Sequence, residues 1–542
     1  MTTEARATFF DWAMLAGLAA MALAPVIMEG NSDFTFSDAS RHAMDGVFVL
    51  DAAREMPLRH PMEWAKRYYL TSPALGMGRY PPLLAVIQTP FYAALGVHPF
   101  AARLAGAVIW LAGLIFFYEL ARMWGGRMAA AIAAGALAAG PASVRWGGEV
   151  MLELPATAFL IAGACLYARY LANRRRANLT GALVLICLAG WIKQPAAALV
   201  GVVLLHFFLR SRSGAFRARD ILPGTIWAAA LLAPLAALSF AFGRANISLI
   251  GGGAPSFPFA SPENWLYYVT QIPRWYLGWP LTVLSGVGII ASISGRGGNG
   301  ALFFGLWAGA FYLFFSAVGY KTARLAMFWT PALAFFAGTA CAFISRKGRF
   351  AQYAAGFICA AAVLFTFERG LLELPRQGAA IYTAAEKALK LSPKIIFYVG
   401  EENGTFIFRV REIAGRERPI VIRDSKILYT DIIQRELGRI EPSWTQGSLR
   451  KAVARISPDV VVVERATAVD PDEPRGVRLF REYLRTTDFE LTESVRRGAP
   501  DRRGTTACSF EVYLYRGPRT PEKIDIQMPG VGMELQLDTR GT

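Results

Sequence analysis

The chain has 542 residues, of which 54% are apolar and 18% charged, against about 25% charged in ordinary soluble proteins, and its formal net charge is +17. To about residue 367, long Ala/Leu/Val/Phe runs alternate with short charged gaps, and beyond it the composition is that of a water-soluble domain. This excludes a wholly cytosolic protein, a disordered chain and a disulfide-stapled secreted module, and it assigns the basic residues in the gaps to membrane topology, with no nucleic-acid partner.

A membrane-crossing helix needs about 20 mostly apolar residues. Runs at 9–28, 101–121, 128–144, 154–172, 179–192, 196–210, 221–242, 277–293, 301–319, 325–345 and 350–367 predict about eleven crossings. No small-residue cleavage site follows the first run, which reads as a retained anchor. A further run, 83–97, is short, follows Pro81-Pro82 and contains Gln88 and Pro90. Charge decides its placement. If it lies along the surface and the N-terminus is inside, every basic cluster falls on the cytoplasmic side: Arg122 and Arg127; Arg174 to Arg176; Arg210, Arg212, Arg217 and Arg219; Arg296; and Arg346, Lys347 and Arg349. The segments 29–100 and 243–276, the short gaps near 145–153, 193–195 and 320–324, and everything beyond the last run then share the outer face.

The first outer segment opens with Ser37 and Asp38, either of which suits a helix cap. Helical spacing puts Asp38, Arg41, His42 and Asp45 on one face. Gly78-Arg79-Tyr80-Pro81-Pro82 follows, with Arg79 at headgroup depth, where snorkelling competes with anion binding. Glu149 and Glu153 stand four apart at the mouth of an apolar run, where ionisable groups are expensive unless paired or used. Pairing with Arg145 is the structural alternative. Lys193, Lys321 and Arg324 lie in outer gaps against the positive-inside bias, and clustered cations at that depth suit a phosphate. The five cysteines lack metal-ligand spacing. The tail alternates strand-like segments (394–399, 419–422, 460–463, 510–515) with helical spacing at 428–440 and 447–456, as in a small α/β domain over 370–520. No phosphate loop appears there, and 521–542 reads as a disordered tail.

Taken in chain order, these elements resemble the GT-C superfamily of membrane glycosyltransferases, and within it the protein O-mannosyltransferases (glycosyltransferase family 39) and the lipid A aminoarabinose transferase. The resemblance spans about 9–345. It is carried by Asp38, Tyr80-Pro81-Pro82-Leu83, Glu153-Leu154-Pro155, Lys193-Gln194-Pro195 and Lys321-Thr322-Ala323-Arg324. Ala39 stands where those families often have a second acid, and Glu153 where aspartate is usual.

The resemblance implies a polytopic α-helical catalytic domain over 1–369, with juxtamembrane helices in its first outer loop. It implies a sugar joined by phosphate to a polyprenyl lipid as donor, a lipid, glycan or protein acceptor, and inversion at the anomeric carbon. Asp38 would be the general base, and Arg79, Lys193, Lys321 and Arg324 would meet the donor phosphate. Arg41, His42, Asp45, Tyr80, Glu149 and Glu153 would position sugar and acceptor. No cofactor is required; there is room for a divalent cation but no metal-ligand cluster. The Ala/Arg-rich composition points to a bacterial inner membrane with the site on the periplasmic side. The alternatives are a ligase using a diphosphate-linked donor and a transporter, although charges gathered at one face without repeat symmetry argue against the latter.

Overall fold

A computed structural model of the chain describes residues 8–77, 79–211, 218–242, 256–296, 300–375, 378–431, 438–466, 472–496, 508–528 and 533–540. Arg212, Arg217 and positions 243–255 of the expected outer loop lie outside the described residues.

Each apolar run of the sequence folds as helix. The membrane part comprises α1 (Phe9–Glu29), α5 (Pro99–Ala139), α6 (Pro141–Gly147), α7 (Glu153–Asn173), α8 (Arg176–Ile192), α9 (Leu199–Ser211), α10 (Leu222–Phe242), α12 (Trp279–Ala291), α13 (Ala301–Ala317), α14 (Thr330–Ser345) and α15 (Arg349–Leu372). Among the described residues, six helical stretches are long and apolar enough to cross a membrane: 9–29, 99–139, 153–173, 222–242, 323–345 and 349–372. The chain is a multi-pass membrane protein. The run 101–121 and the first part of 128–144, to Ala139, are joined into α5 across Gly126, whose φ of 78° breaks the helix there without a separate loop.

Between α1 and α5 lie α2 (Ser37–Glu55), α3 (Pro61–Thr71) and α4 (Leu83–Leu95). With 13 residues, α4 spans about 20 Å, too short for a crossing, and it lies against α2 and α5. Gly46 makes the α2–α4 contact possible, since a Cβ there would press on Gln88 and Tyr92. A short helix, α11 (Pro262–Thr270), precedes α12.

The two ends of the helical bundle carry different charge. At one end Asp11 of α1 meets Arg122 and Arg127 at 3.7 and 3.4 Å, and Arg174, Arg175 and Arg176 join α7 to α8. Glu153 starts α7 and Lys193 follows the last residue of α8, so both lie at the opposite end.

The tail folds as α16 (Ala380–Lys390), β1 (Ile395–Val399), α17 (Asn403–Ala414), β2 (Ile420–Arg423), β3 (Thr430–Asp431), β4 (Arg439–Ile440), α18 (Gln446–Ile456), β5 (Val460–Ala466), α19 (Arg475–Tyr483), β6 (Phe489–Arg496) and β7 (Cys508–Tyr515). The main sheet has the order β2-β1-β5-β7-β6, with β2, β1 and β5 parallel. Strand alternation divides the core. Ile396, Tyr398, Val460 and Val462 join the cluster continuous with the membrane helices, whereas Ile395, Phe397, Val461 and Val463 pack with Leu449, Val453 and Phe480 on the other face.

Two expectations are corrected. The stretch 428–440 is not a helix where it is described. Arg439–Ile440, just after Gly438 at φ 115°, pairs antiparallel with Thr430–Asp431. Nor are the described residues of 521–542 a disordered tail: β8 (Lys523–Met528) and β9 (Met533–Asp538) pair antiparallel, with Ile526, Leu535 and Leu537 buried.

Candidate active site

The first outer segment is held from above by the tail. Asp33 accepts from Arg409 Nε at 2.8 Å and from the Ile381 amide at 2.8 Å. Asp51 accepts from Arg411 Nη2 at 2.7 Å and from the Tyr68 hydroxyl at 2.9 Å. Phe34 packs edge-on to Phe408, with ring centroids 5.2 Å apart. These buried pairs fix α17 on α2, so the helix carrying Asp38 is immobilised by the C-terminal domain. The sequence reading missed Arg409 and Arg411; their signal was two arginines inside an otherwise apolar helical segment.

α2 begins at Ser37, preceded by extended Phe36, and no side chain caps it. The capping expectation therefore fails, and Asp38 turns to other partners. Its Oδ2 accepts from Arg324 Nη1 at 2.9 Å, and its Oδ1 lies 3.8 Å from Arg41 Nη1. Burial alone would raise the Asp38 pKa, but Arg324, His42 and Arg41 together outweigh it and hold the carboxyl well below its ordinary range. Arg324 sits on a short 3-10 turn (Ala323–Trp329) leading into α14, and its guanidinium lies 4.8 Å from the Phe36 ring centroid.

Arg324 also bridges downward, with Nε 3.3 Å from Glu153 Oε1. Lys193 Nζ reaches the same Glu153 oxygen at 2.5 Å. The second oxygen, Oε2, is buried and accepts no hydrogen bond. Arg41, Asp38, Arg324, Glu153 and Lys193 thus form one continuous chain of alternating charge, assembled from α2, the 323–329 turn, α7 and the end of α8.

Asp45 pins the neighbouring segment, its Oδ1 accepting from the amides of Gly76 and Met77 at 2.9 and 3.0 Å. His42 stands 3.9 Å from the other Asp45 oxygen and edge-on to Tyr80, with centroids 5.0 Å apart. Gln194 donates to the carbonyl of Arg79 at 3.2 Å, tying the 193–195 element to the Arg79-Tyr80 segment. Burial and the nearby Asp38 push the Tyr80 phenol up to about 12, so it remains a proton donor at neutral pH.

Two expected residues lie apart from this chain. Glu149 precedes the helix that Glu153 begins, so the two do not share a helical face. Glu149 accepts from the Thr35 amide at 2.8 Å and lies 4.0 Å from Arg103 Nη2. Arg103, a charge inside an apolar run that the sequence reading passed over, also donates to the carbonyls of Gly30, Ser32, Asp33 and Gly148. Glu149 is a strut of the first outer segment. Lys321 directs Nζ to the carbonyls of Phe315, Ser316 and Val318, at 2.9, 2.7 and 2.5 Å. It follows α13 so closely that its ammonium falls back on the unsatisfied end of that helix. Among the described residues, no group of three or more His, Cys, Asp and Glu side chains is placed to hold a metal ion. The chamber acids Asp38 and Glu153 already face cations.

The family profile described as dolichyl-phosphate-mannose-protein mannosyltransferase matches residues 79–239, the stretch that carries Arg79, Tyr80, Glu153 and Lys193. No curated protein matches the chain in sequence. Among solved structures, ArnT from Cupriavidus metallidurans bound to undecaprenyl phosphate superposes with a TM-score of 0.62 at 16% identity, covering 93% of this chain and 98% of that one. The fold is that of the GT-C glycosyltransferases. Other structures of the GT-C class agree. The archaeal oligosaccharyltransferase AglB from Archaeoglobus fulgidus gives a TM-score of 0.53 at 12% identity, over 84% of this chain and 69% of that one. The arabinofuranosyltransferase AftD from Mycobacteria gives 0.53 at 15%, over 96% of this chain and 41% of that one. The GT-C match to ArnT takes in the tail as well as the membrane helices, so the C-terminal domain belongs to the shared architecture.

Proposed function

We propose that the chain is an integral membrane glycosyltransferase that moves a sugar from a polyprenyl-phosphate donor to an acceptor at the periplasmic face of a bacterial inner membrane. The observation that carries this reading is Arg324, which bridges Asp38 and Glu153 while Lys193 closes on Glu153, all at the bundle end opposite the clustered arginines. A prenyl chain lies among apolar helices, and its phosphate reaches Lys193, Arg324 and Arg79 at their outer ends. Charge-assisted contacts of this kind stabilise a phosphate leaving group as its charge grows.

The reaction is a single in-line displacement. An acceptor oxygen or nitrogen bonds to the anomeric carbon, the bond from that carbon to the phosphate oxygen breaks with its electron pair leaving on phosphate, and the acceptor proton passes to Asp38. Inversion follows. In the resting state Arg324 lowers the basicity of Asp38. A phosphate competing for that guanidinium frees the carboxylate only when donor is in place. Arg41, His42, Asp45 and Tyr80 position the pieces around it, and the orphan oxygen of Glu153 is suited to accept a sugar hydroxyl.

The test is incubation of the purified protein with polyprenyl-phosphate and polyprenyl-diphosphate sugars, following loss of the lipid-linked sugar. Turnover of the monophosphate that Asp38→Asn suppresses is the expected result. Turnover of the diphosphate alone would convert the reading to a ligase, and no turnover, with lipid-linked substrate carried across vesicles, to a transporter.

A further inference from the structure

The C-terminal domain does more than hold α2. The carboxyl ends of its parallel strands β1, β2 and β5 face the first outer segment, and Gly404, at the start of α17, approaches Ser40 so closely that any side chain there would collide with its hydroxyl. Crevices at the carboxyl ends of parallel strands are where open α/β sheets bind ligands. Here β2 ends in Arg423, followed by Asp424 and, three positions on, Lys426. Arg423 is 8% exposed; its Nη1 donates to Asn403 Oδ1 at 3.1 Å, while its buried Nε has no partner.

Arg423 lies close enough to repel both Arg41 and Lys426, and Arg79 also repels Arg41. Burial and repulsion from Arg423 and Arg41 outweigh the attraction of Asp431 and bring the Lys426 ammonium down to about 7. The adjacent acid does not offset them, because Asp424 is buried, pushed up to about 7, and directed at the amides of Gly400 and Ser425. Gathering like charges in a half-buried site is unfavourable, and an anion with several oxygens reverses the sign of that interaction. Asp38 divides the cations into two groups. Its Oδ2 faces Arg324 on the donor side, and its Oδ1 faces Arg41 on the domain side.

We propose that Arg423 and Lys426 of the C-terminal domain, together with Arg41, form a second anion subsite that holds a phosphate or carboxylate group of the acceptor and makes the domain a determinant of acceptor specificity. This rests on reading Asp38 as the base between donor and acceptor. An acceptor anchored there by its negative group presents a neighbouring hydroxyl or amine to Asp38, while the donor phosphate occupies Lys193 and Arg324. Asp38 then sits between two anions that the cations keep apart.

The test uses the full-length protein in detergent micelles, with inorganic pyrophosphate as soluble probe and undecaprenyl phosphate as donor-side probe. Wild type should bind pyrophosphate even when saturated with undecaprenyl phosphate, and Arg423→Gln and Lys426→Gln should each weaken that binding by about tenfold or more, with Lys426→Arg restoring it. Both Gln variants should keep the rise in melting temperature given by undecaprenyl phosphate, which Lys193→Gln should lose; melting curves without ligand confirm that each variant folds. Pyrophosphate binding absent in wild type, or unchanged in both Gln variants, overturns the proposal. So does loss of the undecaprenyl phosphate effect in Arg423→Gln, which would assign these cations to the donor. If pyrophosphate binding needs Arg423 and Lys426 but undecaprenyl phosphate has no effect on wild type, the anion subsite stands and the donor reading falls.

Discussion

Two sets of buried ion pairs lie within a few turns of each other on α2 and its approach, and they are built differently. In the set that fixes the tail, each acid is saturated: Asp33 takes Arg409 and an amide, and Asp51 takes Arg411 and a tyrosine hydroxyl. In the chamber, one arginine serves two acids and one oxygen of Glu153 accepts nothing. Saturated pairs buried in protein hold elements together; removing one partner strands a charge. Under-satisfied pairs at the edge of a chamber keep capacity for a substrate. Burial alone does not separate the two, because Glu153 of the chamber is as enclosed as Asp33 and Asp51.

That contrast is open to direct attack. Asp38→Asn should lower the rate of sugar transfer by about 10²–10⁴ while lowering the melting temperature far less than loss of a structural pair does; a transfer rate equal to wild type would put Asp38 among the structural acids. Arg409→Ala should do the reverse in kind, costing about 3–5 kcal/mol of stability by taking the arginine from buried Asp33, read as a lowered melting temperature or poor recovery from the membrane. Lys193→Gln should raise the donor KM by about 10–100-fold through loss of a charged contact. Lys321→Gln should cost about 1 kcal/mol through the helix end it caps, with a smaller change in donor KM than Lys193→Gln gives.

The smallest effect concerns pH. The Asp38 carboxyl has its pKa lowered in the folded protein, so its ion pair adds stability above the ordinary carboxylate range, and that stability is lost as pH falls through and below it. The melting temperature of wild type should therefore decline more steeply from pH 6 to 3 than that of Asp38→Asn.

Much of the membrane part was legible in the sequence because hydropathy is a one-dimensional signal. Each apolar run became helix, and the continuity of 101–139 across Gly126 escaped, since a glycine kink and a loop look alike in composition. Asp38, Glu153, Lys193 and Arg324 were found by their order along the chain and their placement at one depth. Glu149 and Lys321 shared the same signals and differ only in what stands next to them, Thr35 and Arg103 for one and the end of α13 for the other. Those neighbours are matters of three-dimensional packing. Arg423 and Lys426 were invisible because nothing local marks them: each is an ordinary basic residue at or just beyond the end of a strand, and only the seating of α17 on Ser40 brings them near Arg41. The pairing of 523–528 with 533–538 was missed for a related reason, since its apolar residues are few and count only when paired across two strands.

The seating of α17 on α2 also sets a rule for engineering. Exchanging the soluble tail for that of another GT-C protein would deprive Asp33 and Asp51 of Arg409 and Arg411, so a functional chimera must carry residues 29–100 and the tail as one inherited block, with its junctions placed inside the membrane helices that flank them.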